Sequence, residues 1–299
     1  MYIKLYKEFK GHEGSVYALC NYYNSEEFIS AGGDGKIVKW NIHEEHGKVI
    51  AEIPNHVFSL CFDKEFGNLF CGADNGSVYI INQNRETPAR NILVHRKAIY
   101  DMCLHEDQLF VVSGDGSVSS FGKNKADSIQ TMKLSSSGLR CIIYSQTKKC
   151  FIIGGQGGKI YTMNSINDVE QQVQIEGSRT IFSLLENPDK NLVIAGTMDA
   201  RLHMLDINDL LQVQEPLNAH RFTINDMLRI PDTNIFVTAS RDRTIRLWDI
   251  DSFNLLYSIS NAENKAHMAS VNKLLWLDST NVLLSASDDR TIKAWKIEV

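Results

Sequence analysis

Hydrophobic and polar positions along this chain alternate over short distances, and no long stretch follows the period of a helix. Runs rich in β-forming residues, such as "VYALC", "FIIGG" and "IFVTAS", are separated by turns containing Gly, Asn, Asp and Pro. The pattern predicts many short strands joined by tight turns.

The strands recur in a fixed order, so the internal repeat is the primary signal. The segment "AHRFTINDMLRIPDTNIFVTASRDRTIRLWDI" from Ala219 lies over "AHMASVNKLLWLDSTNVLLSASDDRTIKAWKI" from Ala266 without a gap. The same template fits "GHEGSVYALCNYYNSEEFISAGGDGKIVKWNI" from Gly11, and weaker copies begin near Asn55, Val94, Ser136 and Gly177. An apolar residue opens the first strand of each copy: Val16, Val57, Ile99, Leu139, Ile181, Ile224 and Val271. A turn residue precedes the third strand: Asp34, Asn75, Asp115, Gly157, Asp199, Asp242 and Asp289. The two anchors stand 18 residues apart in six copies and 16 apart in the copy holding Ile99. Six residues past the second anchor come Trp40, Ile81, Phe121, Met163, Leu205, Trp248 and Trp295, and successive copies begin 40 to 47 residues apart.

Three strands fall between and around the anchors, and a fourth follows, as in "KVIAEI" after Asn41. Four-stranded units at this period resemble WD40 β-propeller blades. The resemblance is carried by Gly11-His12 with Trp40-Asn41, Ala219-His220 with Trp248-Asp249, and Ala266-His267 with Trp295-Lys296. It implies an all-β fold, a seven-bladed β-propeller of four-stranded antiparallel blades, in one domain spanning 1–299. The repeats fall at approximately 11–50, 51–93, 94–134, 135–176, 177–218, 219–260 and 266–299. The last copy stops after its third strand, and the orphan strand "IKLYKEF" over 3–9 precedes the first copy. Pairing the two would close the last blade and remove an open sheet edge.

The resemblance also implies a hydrogen-bond chain from Trp through Ser or Thr and His to Asp. Three copies match it in full: His12, Ser30, Asp34 and Trp40; His220, Thr238, Asp242 and Trp248; His267, Ser285, Asp289 and Trp295. A catalytic triad repeated three times with no oxyanion site is scaffolding, so these sets read as structural. The third copy keeps His95 and Asp115 but has Phe121 in place of Trp. The glycine-rich "GGQGGK" ending at Lys159 invites a phosphate-loop reading. Yet Ile153 stands at the first glycine position of that motif, and Ile160 follows the lysine where Ser or Thr is required. The repeat places it in the hairpin between the second and third strands, where glycine permits positive φ.

In a propeller, the residue after each first anchor should surround the mouth of the central channel. Those residues are Tyr17, Phe58, Tyr100, Arg140, Phe182, Asn225 and Asn272, joined on the same rim by Asp74, Arg241 and Asp288. Aromatic and arginine side chains are favoured binding anchors, and the resemblance adds that peptide-binding WD40 domains use such positions. The competing arrangement wedges the aromatics between blades. Asp101 and Asp226, two residues past their anchors, read as strand aspartates paired to a neighbouring backbone or arginine.

Composition narrows the function classes. A formal charge of −5 disfavours nucleic acid or an anionic membrane as the main partner. The 43% hydrophobic content supports a sizeable core, no apolar run reaches the length of a membrane span, and "MYIKLYKEFKGH" lacks a secretion signal's apolar centre. Six cysteines without metal-ligand pairing suggest a reducing cytoplasm, with Cys20, Cys61 and Cys103 as core residues on first strands. No cofactor or metal is expected. These features predict a cytoplasmic, monomeric, non-catalytic scaffold that binds a protein or peptide. The alternative is a propeller enzyme or small-ligand binder using Arg140, Arg241 and Asp288 in a polar pocket at the same mouth. A ubiquitin-ligase or lipid-binding adaptor is less supported, since "HRKA" lacks the second arginine of a phosphoinositide motif.

Overall fold

The computed structural model describes residues 2–84 and 88–298. These residues form seven four-stranded sheets, each built from consecutive strands except the last. The first strands of blades one to seven are Val16–Asn21, Val57–Asp63, Ile99–His105, Leu139–Ser145, Ile181–Asn187, Ile224–Arg229 and Val271–Leu277. Each begins at its predicted anchor, and all seven anchor side chains are fully buried. The turn anchors all fall in the hairpin between second and third strands. Among the described residues, helix is limited to three- and four-residue turns at Pro188–Lys190, Asn261–Asn264 and Asp278–Thr280, the second lying within the insert "SNAENKAH".

The seventh sheet is completed by Tyr2–Lys10, which pairs antiparallel with Thr291–Glu298 from Tyr2↔Glu298 to Lys10↔Thr291. Phe9 from this strand is buried and packs edge-on to Phe28 and Trp40, with ring centroids 5.2 and 5.4 Å away. The N-terminal strand thus contributes to the core of the first blade as well as to the edge of the last.

The chain divides into two compact units. One holds the residues up to Val57 with those from Asn225 onward, and the other runs Phe58–Ile224. The first contains blades six, seven and one, and the second contains most of blades two to five. Within the second unit, packing between neighbouring blades explains a glycine in the second strand. A Cβ on Gly72, Gly154 or Gly196 would stand 2.6, 2.7 or 2.9 Å from Cγ2 of Ile99, Ile181 or Ile224, the anchor of the next blade. The glycine leaves the socket into which that isoleucine inserts, at the density expected of a protein interior. Second strands are accordingly buried along their length, while fourth strands are largely exposed.

Candidate functional site

The residue after the anchor occupies a distinctive backbone position in five blades. The ladder between first and second strands shifts register between Val16 and Ala18, Ile99 and Asp101, Leu139 and Cys141, Ile181 and Ser183, and Val271 and Lys273. Tyr17, Tyr100, Arg140, Phe182 and Asn272 are therefore the extra residues of β-bulges. A bulge releases a side chain from the strict alternation of the strand and re-aims it. The anchor keeps its inward direction while the next side chain turns toward the end of the sheet.

In the second unit these side chains form a continuous row. The rings of Phe58 and Tyr100 lie 5.6 Å apart at 33°. The Arg140 guanidinium carbon stands 3.8 Å from the Tyr100 ring centroid and 5.3 Å from that of Phe182. All four residues are half-buried. Gly114 makes room for Tyr100, because a Cβ there would meet the ring at 2.8 Å. Arg140 makes no hydrogen bond among the described residues, and its Nε is buried without a partner. Asp74, on the second blade's hairpin, is half-buried.

The corresponding residues of the first unit are arranged differently. Asn225 donates to Ser270 Oγ at 2.9 Å and to the Val271 carbonyl at 2.8 Å. Asn272 donates to the Val16 carbonyl at 3.0 Å and to Asp288 at 2.8 Å, and accepts from Ser270. These amides tie one blade to the backbone of the next, so their polarity is satisfied within the protein. Tyr17 lies over Gly33, whose added Cβ would be in ordinary contact with the ring at 3.5 Å, and Arg241 is exposed.

The position two past the anchor performs a similar tie. Asp101 accepts from the Ile142 amide at 3.0 Å, and Asp226 accepts from the Leu274 amide at 2.8 Å and from Lys273 Nζ at 3.0 Å. The expectation of a paired strand aspartate is met by the next blade's backbone, with lysine rather than arginine as the cation.

The Trp–Ser–His–Asp chain is explicit in blades one and seven. Trp40 Nε1 donates to Ser30 Oγ at 2.7 Å, Ser30 donates to His12 Nε2 at 2.7 Å, and His12 Nδ1 donates to Asp34 at 2.9 Å. That sequence assigns the neutral Nδ1–H tautomer. In blade seven, Trp295 donates to Ser285 at 2.8 Å, while His267 bridges Ser285 and Asp289 at 2.8 Å each. In blade six, Trp248 donates to Thr238 at 2.9 Å, and His220 is buried. Burial holds the His12 imidazole below its ordinary 6.5 despite the Asp34 carboxylate beside it. Burial tends to raise the Asp34 and Asp289 carboxyls, but His12, His267 and the backbone amides outweigh it and bring both below the usual range.

Blade three shows what a missing member leaves behind. His95 Nδ1 is 3.4 Å from Asp115, but Val111 stands where the Ser or Thr belongs, and the buried His95 Nε2 has no partner. The glycine loop of blade four offers no anion site. The Gly157 and Gly158 amides both donate to the Arg179 carbonyl, the second at 3.0 Å, and both glycines have positive φ. The cysteines are thiols, and burial pushes Cys61 and Cys103 up to about 12. Among the described residues no group of three or more His, Cys, Asp or Glu is placed to hold a metal, and no helix is long and apolar enough to cross a membrane.

The family model described as "WD domain, G-beta repeat" matches residues 3–41, 211–249 and 259–296. The chain is 24% identical over 254 residues to the guanine nucleotide-binding protein subunit beta of Zea mays, covering 81% of this chain and 57% of that protein. It is 21% identical over 242 residues to the serine-threonine kinase receptor-associated protein of Gallus gallus, covering 80% of this chain and 68% of that one. The chain thus spans a little over half the length of the plant relatives, at 57%. Among solved structures, the WD40 beta propeller domain of Doa1 matches with a TM-score of 0.87 at 14% identity, covering 99% of this chain and 97% of that one. The three matched segments contain Trp40, Trp248 and Trp295, so the chain carries WD40 repeats in these three places and has the fold of a seven-bladed β-propeller.

Proposed function

We propose that this protein is a non-catalytic scaffold, a single propeller domain acting in the cytoplasm, that binds a protein or peptide at the rim of its channel mouth. The observation that carries this reading is the half-buried row Phe58–Tyr100–Arg140–Phe182, four side chains from four repeats, three of them on β-bulges. Such a row offers rigid, partly dehydrated contact area of the kind that dominates binding energy. The names of the relatives point the same way, since one describes a subunit and another a receptor-associated protein. Tyr17, Asp74, Arg241 and Asp288 remain candidate contacts of their own units, while Asn225 and Asn272 tie one blade to the next.

The test is quantitative affinity capture from native lysate. The baits are the wild type and a folded variant with Tyr17, Phe58, Tyr100 and Phe182 changed to alanine. Partners lost only with the variant support the rim, whereas an unchanged partner set moves recognition to another surface and refutes this reading.

A further inference from the structure

We infer that Arg140, held between Tyr100 and Phe182, is the receptor for a side-chain carboxylate on an acidic segment of a partner protein. The inference rests on the rim being the binding face and specifies what that face selects. The two rings lie over the guanidinium at 3.8 and 5.3 Å and remove water from it without offering an acceptor. Nε is buried without a hydrogen-bond partner, and the group forms no ion pair among the described residues. Guanidinium is charged at every working pH and carries its donors in its own plane. With two rings against the group and no acceptor supplied by the protein, its terminal N–H donors are left for a ligand. A carboxylate is planar, anionic and bidentate, which matches a single guanidinium edge.

The surrounding charge favours the same ligand. Arg96 and Lys97 precede the first strand of blade three, Lys159 follows the hairpin of blade four, and Arg179 precedes the first strand of blade five; none forms an ion pair among the described residues. The acids nearby are largely committed. Asp115 accepts from the Arg96 and Ser117 amides and faces His95, and Asp199 stands 3.7 Å from Arg201. Glu176 is an exposed acid in the loop before blade five, and Asp74 on the second blade's hairpin is half-buried. An acidic segment is drawn to this end by charge and registered there by Arg140.

The experiment uses an array of immobilised peptides of equal length in three series: glutamate and aspartate, their glutamine and asparagine counterparts, and phosphoserine. It is read with the purified wild type, R140K and R140M, after circular dichroism and melting show that the variants fold. The wild type should favour the acidic over the amide series by about tenfold or more. R140M should lose that preference, and R140K, which keeps the charge but not the fork, should keep part of it. A reading that needs no variant is the Arg140 Nε–H resonance, which should shift when a glutamate-rich peptide is titrated in. Equal binding of the acidic and amide series, a preference unchanged in R140M, binding confined to phosphoserine, or no binding at all would each overturn the carboxylate receptor. Lysate capture separates the two levels. A partner lost with the aromatic variant but kept by R140M leaves the rim reading standing and removes this inference. A partner kept by both removes the rim as well.

Discussion

Replacing Ser285 with alanine tests the stabilising network where it is fully closed. Ser285, His267 and Trp295 are all fully buried, and the hydroxyl stands 2.8 Å from both His267 Nε2 and Trp295 Nε1. Alanine fits the space but strands an acceptor on the imidazole and a donor on the indole. Each buried orphan costs about 1–3 kcal/mol, so the loss should be about 2–6 kcal/mol. For a chain of this size that corresponds to a fall in Tm of roughly 4–12 °C. Ser285→Thr keeps the hydroxyl, and blade six already uses Thr238 for the Trp248 bond at 2.9 Å, so that variant should melt near the wild type. Adding Trp295→Phe to Ser285→Ala removes one of the two orphans. The double variant should therefore lose less than the two single losses summed, with a coupling of about 1–2 kcal/mol. Melting followed by far-ultraviolet circular dichroism reads the wild type and the four variants, Trp295→Phe alone included. An alanine variant within a degree of the wild type, or a threonine variant as unstable as alanine, refutes the reasoning.

Three further outcomes follow from the same geometry. Deleting the first ten residues strips Tyr2–Lys10 from the seventh blade and Phe9 from the first, so Tm should fall by about 10 °C or more; an unchanged melt refutes the closure. His12 and His95 are held below 6.5 by burial, so the unfolded chain binds their protons first. Their contribution is complete above pH 6.5 and is lost as pH falls below it, so Tm should drop between about pH 7 and pH 5, and less steeply in a His12→Gln, His95→Gln double variant; equal slopes refute it. Val111→Thr should give His95 Nε2 its missing donor and raise stability by about 1 kcal/mol, whereas a lower melting temperature would show that the valine slot does not face the imidazole.

The repeat register was legible because two kinds of residue reported it independently. The buried anchors are constrained by packing and the hairpin residues by φ, and both constraints act locally in the chain. The closing strand was legible for a related reason: the seventh copy lacked a fourth run, and a spare run stood before the first. The bulge after Val16, Ile99, Leu139, Ile181 and Val271 was not legible, because it is a property of pairing with the second strand and leaves no residue signature of its own. The meaning of Asn225 and Asn272 was hidden as well. Their acceptors are carbonyls of the next blade at Val271 and Val16, a relation that a single-blade template does not contain. Arg140 shares the slot and the polarity of those asparagines, and only geometry separates an amide that is satisfied from a guanidinium that is not.

That separation follows the division of the chain. The unit containing blades six, seven and one carries the complete residue sets for the Trp–Ser/Thr–His–Asp chain, and there the rim asparagines are spent on blade-to-blade ties. The unit containing most of blades two to five has lost most of those sets, and there the same slots hold Phe58, Tyr100, Arg140 and Phe182 in contact. The second unit is packed by sockets such as Gly154 against Ile181 and by ties such as Asp101 to Ile142, the tie being shared with the first unit at Asp226 and Leu274. The departures from the repeat therefore fall in the unit that holds the Phe58–Tyr100–Arg140–Phe182 row, and Arg140, half-buried with its Nε unpaired, lies within it.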